Sequence, residues 1–347
     1  MAINSRLRPY WRAPELLRCT CSTRPSISIF SVASAAFSNN ITSYCDRQCS
    51  LEGWRRPLGG PIDSPEQTPI IALGKFDALH KGHQALASAA AELNGMPWLV
   101  SFAGIAEVLQ WPTRLPLVAL ADRRRVMETW KDACGGKIPT ECAIPFAKVR
   151  SLPPEDFVAL LANDLKIGGV AVGSNYRFGY KAAGDANLLQ NLGEKYGLKV
   201  AIVDLVEHER DFQGEVVSSS WVREALQEGD VASAAYCLGR PYRLILGNST
   251  SSGDSGSITN NNIVDACTAT RKFEFLNQPP GTGQYKCLVH VVDPGKAVQH
   301  VNQGSPALVI LGEHGEIQVV EGSSSRMKEE LAVPPGGMLV IDFLEKH

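Results

Sequence analysis

The chain has 347 residues, a formal net charge of −2, 44% apolar residues and 20% charged residues. This composition is typical of globular proteins, and the length allows one large domain or two ordinary ones. The balanced charge predicts neither a nucleic acid nor a membrane surface as partner, and no run approaches the roughly 18 apolar residues that a transmembrane helix needs.

Residues 1–65 have the composition of a targeting segment followed by a linker. Residues 1–50 hold six arginines but only two acids, Glu15 and Asp46, together with many serines and threonines. An acid-poor, Arg- and Ser-rich N-terminus is typical of organelle transit peptides. Composition alone does not separate chloroplast from mitochondrion, and an untargeted disordered tail is the competing interpretation.

The nine cysteines give no sign of a metal site. Two pairs, Cys19/Cys21 and Cys45/Cys49, lie in the N-terminal segment, and neither has a matching second pair at zinc-finger spacing. We therefore expect free thiols.

Apolar runs and helix-prone segments alternate over residues 66–242. We predict strands at 70–73, 98–102, 169–173 and 200–206, and helices at 84–93, 122–130, 154–165, 187–196 and 220–228. Strands that alternate with helices of about a dozen residues predict an α/β fold, a Rossmann-like parallel sheet with helices on both faces. Ligands of such sheets bind beyond the carboxyl ends of the strands.

The pattern changes from about Tyr242. Residues 248–257 are of low complexity, and the following β-type runs are separated by glycine and proline. We predict these runs at 285–292, 307–311, 316–320 and 338–343. The pattern indicates a smaller, mainly-β domain over residues 243–347.

The segment Gly74-Lys-Phe-Asp-Ala-Leu-His-Lys-Gly-His83 joins the first predicted strand to the first helix. A helix N-terminus attracts anions through its unpaired N–H groups and partial positive charge. Gly82 lets the backbone approach a phosphate, and the three-residue spacing of His80 and His83 lets both side chains converge on it. Two imidazoles there would stabilise charge that develops on phosphate oxygens, with magnesium sharing that charge.

His80-Lys-Gly-His83 matches the H-x-G-H signature of the nucleotidylyltransferase superfamily, which indicates the chemistry but not the substrate. Two later segments resemble those of FAD synthetases. They are Gly173-Ser-Asn-Tyr-Arg-Phe-Gly179 with Gly184-Asp185, and Val217-Ser-Ser-Ser-Trp-Val-Arg223 with the tail Leu238-Gly-Arg-Pro-Tyr242. The resemblance covers residues 70–242 in the family's order and spacing, and is closest to the plant plastid type.

The resemblance implies an FMN adenylyltransferase domain over residues 66–242 that uses ATP and Mg²⁺ to make FAD, located in the plastid stroma, where FAD would be delivered to plastid flavoenzymes. It implies catalytic roles for His80 and His83. The implied ATP-binding residues are Gly74, Lys75, Phe76, Asp77, His80, Gly82, His83, Asn175, Ser219, Ser220 and Arg223. Arg177 and Phe178 are the implied flavin contacts. Asp77 is a candidate magnesium ligand, or else a carboxylate that orders the loop.

Local alternatives exist for several of these residues. Asn175 fits an Asx-turn as well as a phosphate or ribose contact, and Phe178 fits an ordinary core position. One serine of 218–220 fits a helix N-cap. Arg223, one turn into the helix, suits a phosphate through its planar fork, but a solvated surface arginine is the alternative.

The chain departs from the family pattern in three places. Ser220 stands where threonine is usual, and Trp221 stands where arginine is frequent. Residues 101–112 replace the bacterial T-F-x-P-H-P type segment. Trp221 and the altered segment leave open a flavin- or nucleotide-binding protein without turnover. Transfer to another phosphorylated acceptor also stays open, because only the resemblance of the segments around Asn175 and Arg223 argues against it.

Bacterial relatives carry a second, riboflavin kinase domain with a Pro-Thr-x-Asn motif. No such tetrapeptide follows Tyr242. We therefore interpret residues 243–347 as a degenerate riboflavin-kinase-like domain and expect kinase activity to be absent.

Overall fold

The structure is a computed structural model. It describes residues 68–208, 215–248, 262–264, 270–298, 304–313, 315–321 and 333–347. The predicted transit peptide and linker at 1–65 and most of the low-complexity segment lie outside these residues. Within the described part of the chain, no helix is both long and apolar enough to cross a membrane.

A five-stranded parallel sheet forms the first layer, in the order β3-β2-β1-β4-β7. Its strands are β1 (Pro69–Leu73), β2 (Met96–Ala103), β3 (Thr140–Pro145), β4 (Gly169–Gly173) and β7 (Lys199–Val203). A small hairpin, β5 (Arg177–Phe178) and β6 (Gly184–Asp185), follows β4. The predicted α/β parallel-sheet fold is confirmed.

Helices connect these strands and cover both faces of the sheet. They are α1 (Lys81–Glu92), α2 (Ile105–Leu109), α3 (Leu120–Glu128), α4 (Phe146–Val149), α5 (Pro154–Ala159), α6 (Ala186–Tyr196), α7 (Ser219–Gln227) and α8 (Val231–Leu238). The helix predicted at 154–165 is interrupted, because a π-helical turn at Leu160–Asp164 follows α5.

Apolar sequence, and not burial alone, explains which strands were predictable, because β7 was predicted from its apolar run although none of its residues is fully buried. Every residue of β1 is buried, as expected for a central parallel strand covered on both faces. β3 lies at the edge of the sheet, and only two of its six residues are buried. Its sequence, Thr-Glu-Cys-Ala-Ile-Pro, has no continuous apolar run of the kind that marked the other strands, and β3 was therefore not predicted.

The C-terminal part forms a closed barrel in the order β10-β8-β14-β11-β12-β13-β9. Its strands are β8 (Tyr242–Asn248), β9 (Asn262–Val264), β10 (Thr270–Phe275), β11 (Gly283–Val292), β12 (Ser305–Leu311), β13 (Ile317–Glu321) and β14 (Met338–Lys346). The predicted mainly-β domain is confirmed as to fold. Closure matters because a barrel leaves no exposed sheet edge.

Helices α7 and α8 join the sheet to the barrel. Val222 and Leu226 of α7 belong to the same apolar cluster as Tyr242 of β8 and Phe343 of β14. The cluster also includes Leu117, which precedes α3. The two parts of the chain thus share one apolar cluster, beside two separate clusters within the sheet layer, and the division into 66–242 and 243–347 stays a prediction.

Candidate active site

The loop of residues 74–80 lies at the carboxyl end of β1, the central strand. The strand order reverses here, since β2 lies on one side of β1 and β4 on the other. Such a switch point is where open parallel sheets bind ligands. The predicted motif is therefore placed where the fold provides a crevice.

The loop backbone is strained and held by two arginines. Phe76 and Leu79 have positive φ angles of 42° and 49°, and both side chains are buried. Arg123 donates to the Phe76 carbonyl at 2.7 Å, and Arg240 donates to the carbonyls of Ala78 at 2.8 Å and Leu79 at 2.7 Å. Strained backbone of this kind persists where surrounding contacts fix it, and it is frequent at functional sites.

The sequence analysis missed both arginines. Arg240 belongs to the tail Leu238-Gly-Arg-Pro-Tyr242, and Arg123 is one of three successive arginines in α3, so no local pattern sets either apart. Burial of the Arg240 guanidinium lowers its pKa to about 9, which still leaves it charged at neutral pH. Arg123 is also paired with Glu141, at 2.9 Å from its Nε to each carboxylate oxygen.

His80 and His83 lie together at the start of α1. His80 is the N-cap, and its Nδ1 accepts a hydrogen bond from the His83 backbone N–H at 3.3 Å. The two rings stack with centroids 3.7 Å apart and planes 15° apart. His83 Nδ1 is buried with no hydrogen-bond partner among the described residues. The spacing thus brings both imidazoles to one point, as predicted.

Both histidines are neutral at neutral pH. Burial lowers the pKa of His80 to about 4, with the charge of Arg240 acting in the same direction. Burial, then His80 and the two arginines, lowers the pKa of His83 well below its ordinary 6.5. A neutral imidazole has one N–H, and because His80 Nδ1 is an acceptor, its proton is assigned to Nε2. The pair therefore offers neutral donors to an anion.

These pKa shifts make the stability of the fold depend on pH. In the unfolded chain His80 has its ordinary pKa of 6.5, whereas in the folded chain its pKa is about 4. Between these two pH values the unfolded chain therefore binds a proton at His80 and the folded chain does not. The free energy of unfolding should therefore fall as pH drops from 6.5 to 4, by roughly 3 kcal/mol for this group at about 1.36 kcal/mol per pKa unit.

Urea unfolding at several pH values between 7 and 4 measures this decline. His80→Asn keeps a capping acceptor but does not titrate in this range, so its decline should be shallower than that of the unmodified chain. Equal slopes for the two proteins would contradict the assignment of a depressed pKa to His80.

Gly82 is required by its neighbour as well as by any ligand. A Cβ at this position would lie 3.1 Å from Cε1 and 3.2 Å from Nδ1 of the His80 ring. The sequence analysis explained Gly82 by close approach to a phosphate. The structure adds that a side chain here would crowd the His80 imidazole, which would have to shift by a few tenths of an ångström.

We expect Gly82→Ala to lower the turnover of the site at least tenfold by displacing His80. Stability should change little, because the preference of alanine over glycine in a helix, about 1 kcal/mol, offsets the crowding of the His80 ring. Gly247→Ala is the matched control, because its Cβ would meet nothing closer than 3.6 Å. Activity unaltered by Gly82→Ala, measured beside urea unfolding, would refute this role.

The serine segment begins α7. Ser218 is the N-cap, with its Oγ accepting from the Trp221 backbone N–H at 3.2 Å. Ser219 and Ser220 follow in the first turn, partly buried and exposed respectively. The expectation that one serine is an N-cap is met by Ser218. Phosphate contacts of Ser219 and Ser220 stay predictions.

Trp221 has a structural partner on each part of its ring. Its Nε1 donates to Glu215 Oε2 at 2.8 Å, and its ring lies 4.4 Å from that of His208. His208 in turn stacks at 5.1 Å on Tyr236 of α8. Trp221 is therefore linked through His208 to Tyr236 of α8.

Arg223 contacts the motif loop. Its Nη2 pairs with Asp77 Oδ2 at 2.6 Å, and Asp77 Oδ1 accepts from the Leu117 N–H at 3.0 Å. These contacts show Asp77 ordering the loop, which was the alternative to metal binding. The described residues contain no group of three or more His, Cys, Asp or Glu able to hold a metal ion. Magnesium binding by Asp77 stays a prediction.

The segment after β4 lies at the same edge of the sheet. Asn175 is exposed two residues beyond the end of β4, which pairs with β1. Arg177 is exposed and donates to the Ala182 carbonyl at 2.9 Å. Phe178 is buried, 5.8 Å from the Phe157 ring, as its core alternative expects. The flavin contacts assigned to Arg177 and Phe178 stay predictions.

Comparisons with known proteins show likeness of fold and of sequence. A solved structure, "Crystal Structure of Macrolide-efflux Protein from Streptococcus pneumoniae", has a TM-score of 0.58 over 82% of this chain and 95% of that chain. Its sequence identity of 20% shows likeness of fold alone.

Sequence relatives are more specific. "FAD synthetase 2, chloroplastic" of Arabidopsis thaliana is 43% identical over 242 residues, which cover 66% of this chain and 63% of the relative. "FAD synthetase 1, chloroplastic" of the same plant is 42% identical over 243 residues, covering 66% of each. Residues 63–221 match the family model of FAD synthetase, and they hold the motif loop, the histidine pair and the serine segment. Residues 63–221 are therefore similar to FAD synthetases, and the chain spans a little under two thirds of the length of the two plant relatives.

Proposed function

We propose that the chain is an FMN adenylyltransferase that transfers AMP from MgATP to FMN, giving FAD and pyrophosphate. The observation that carries the proposal is the stacked, buried pair of neutral histidines at the N-terminus of α1, at the switch point of a parallel sheet. The pair lies inside the segment that matches the family model of FAD synthetase, and this match supports FMN as the acceptor.

The reaction is an in-line displacement at phosphorus. A phosphate oxygen of FMN attacks the α-phosphorus of ATP, the bond to the β-phosphate bridging oxygen breaks, and pyrophosphate leaves with the electron pair. The nucleophile is already anionic, so no general base is needed. The protein contributes orientation and stabilisation of charge on the phosphate oxygens.

Different residues of this chain would provide the orientation and the stabilisation of charge. The free N–H groups of α1 and the neutral donors of His80 and His83 would face the α-phosphate oxygens. Since neither histidine is cationic, neither adds a positive charge that must be desolvated before the reaction. Arg223, which is held beside the motif loop, would bind the phosphates further along ATP.

Magnesium would shield the negative charge of the phosphates when it binds with ATP. The only carboxylate of the motif, Asp77, is already engaged by Arg223 and the Leu117 N–H. The residues present therefore fit a magnesium ion whose ligands come mainly from the phosphates and water, with at most one from Asp77.

The proposal is tested with the full chain, FMN, ATP and magnesium. FAD and pyrophosphate should form in equal amounts, and replacing FMN by riboflavin should give neither FMN nor FAD. Absence of FAD in the first reaction, despite measurable ATP binding, would contradict the proposal. FMN made from riboflavin would contradict only the part that denies kinase activity.

We also propose that the protein works in the chloroplast stroma and supplies FAD to plastid flavoenzymes. The composition of residues 1–65 and the chloroplastic names of the two plant relatives support this location. Fusion of residues 1–65 to a fluorescent protein should direct it to plastids. Fluorescence in mitochondria or the cytosol would contradict the proposal.

A further inference from the structure

The segment between β10 and β11 leaves the barrel and lies against the parallel-sheet layer. The Gln278 N–H donates to the Pro116 carbonyl at 2.9 Å. Asn277 is fully buried, with its Nδ2 3.2 Å from the Leu117 carbonyl. Pro116 and Leu117 belong to the connection that leads into α3, so the barrel is bonded directly to the layer that carries the motif loop.

The barrel fixes this segment firmly. Asn277 Oδ1 accepts from the Ile245 N–H at 2.9 Å, and its Nδ2 lies 2.7 Å from the Arg243 carbonyl. The Tyr242 hydroxyl donates to the Gln278 carbonyl. Because an amide side chain with several partners has little freedom, the backbone that carries Gln278 is anchored to β8.

Gln278 uses this anchorage to hold Arg223. Its Oε1 accepts from Arg223 Nη1, and its Nε2 donates to the Arg223 carbonyl at 3.3 Å. The other end of the guanidinium donates to Asp77 and, at 3.0 Å, to the Leu115 carbonyl. Arg223 is thus fixed between the motif loop and the barrel, and its side chain is 17% exposed.

We propose that Gln278 is a positioning residue for adenylyl transfer, through which the barrel orients Arg223 toward the phosphates of ATP. The inference rests on the proposed function, which gives Arg223 that phosphate contact. A free arginine side chain loses rotamer freedom when it binds, and a guanidinium fixed beforehand loses less. Asp77 already places one negative charge beside the guanidinium, and the neutral glutamine amide fixes its other end without adding a second charge that would compete with phosphate.

Two substitutions separate orientation from charge. Gln278→Met keeps the size but removes both hydrogen bonds, and we expect kcat/KM for ATP to fall about tenfold. Gln278→Glu keeps an acceptor for Arg223 and adds a charge, so the fold should remain as stable while kcat/KM for ATP still falls. A purely structural role would instead make the glutamate variant behave as the unmodified chain.

Gln284→Met is the matched control, because Gln284 is exposed on β11, within the same barrel. Its kcat/KM for ATP should equal that of the unmodified chain. Urea unfolding of all variants identifies any that lose activity by unfolding.

A double-mutant cycle tests the route of the effect. In an Arg223→Met background, Gln278→Met should lower kcat/KM for ATP by less than twofold, since its partner is already gone. A full tenfold loss in that background, or no loss in the single Gln278→Met variant, would overturn the inference.

A failure of the proposed function can be distinguished from a failure of the inference about Gln278. FAD formation by the unmodified chain in the same assay tests that function directly. The dissociation constant of ATP, measured by titration calorimetry for the four proteins of the cycle, tests Gln278 whether or not FAD forms. Unchanged ATP affinity across the cycle, in proteins that form no FAD, would overturn both.

Discussion

His83→Ala is expected to lower kcat for FAD formation by about 100-fold to 1000-fold, with the affinity for ATP changed less than about threefold. Removal of one donor to a developing oxyanion costs about this much in other enzymes. His83 lies stacked on His80 with its Nδ1 buried, and no described residue bonds to that atom. Among the described residues this nitrogen is therefore not used to hold the fold, and we expect the ring to serve the reaction.

The measurement is steady-state kinetics together with ATP titration. His83→Gln keeps a neutral N–H donor at about the distance of Nε2, so it should recover part of kcat, roughly tenfold over alanine. A rise in KM for ATP with kcat unchanged would mean that His83 binds ground state and transition state equally, and it would contradict the assignment. Urea unfolding of each variant confirms that the fold is retained.

Arg243→Met is expected to cost about 3–5 kcal/mol of the free energy of unfolding. Arg243 makes two hydrogen bonds of 2.6 Å to Asp342 in the barrel, and its Nη1 lies 3.4 Å from Asp122 of α3. Asp122 is held in turn by Arg125 at 2.6 Å. All four side chains are buried, so removing one cation leaves an uncompensated carboxylate away from water.

Chemical denaturation measures this cost, and two further variants define its cause. Arg124→Met removes an arginine that is 64% exposed and paired with Glu128, and it should cost less than about 1 kcal/mol. Arg243→Met combined with Asp342→Leu should recover most of the stability, because no buried charge is then left without its partner in the barrel. A single Arg243→Met variant as stable as Arg124→Met would refute the account.

The ionic cluster also explains how the two parts of the chain are joined. Asp122 and Arg125 belong to α3 of the sheet layer, whereas Arg243 and Asp342 belong to the barrel. Together with Gln278 and Asn277, they fix the barrel against the layer that carries the motif loop. The barrel, for which we expect no kinase activity, thus contributes to the geometry of the candidate active site.

The sequence predicted the sheet and its main motif for clear physical reasons. β1 and β4 are short apolar runs that end in glycine, and a central parallel strand must be apolar on both faces. The loop with His80 and His83 stands between a strand and a helix, where its spacing alone places both rings on one face. Local patterns of this kind need no knowledge of distant residues.

The remainder depends on contacts between residues far apart in sequence. Arg240 bonds to the Leu79 carbonyl from 161 positions away, and Gln278 bonds to Arg223 from 55. No local pattern marks a side chain as the partner of a carbonyl in another element. β8 was missed for a related reason, since it carries a charged residue, Arg243, which is explained by Asp342 opposite it on the neighbouring strand β14 and by Asp122 of α3.

Adenylyl transfer is tested most directly by following labelled phosphorus from ATP. The full chain should convert FMN and α-labelled ATP into labelled FAD, and with γ-labelled ATP the label should appear only in pyrophosphate. Loss of the FAD label in His83→Ala at unchanged ATP binding would connect the transfer to the histidine pair. Label from the γ-phosphate in a flavin, or no α-label in FAD, would contradict the account.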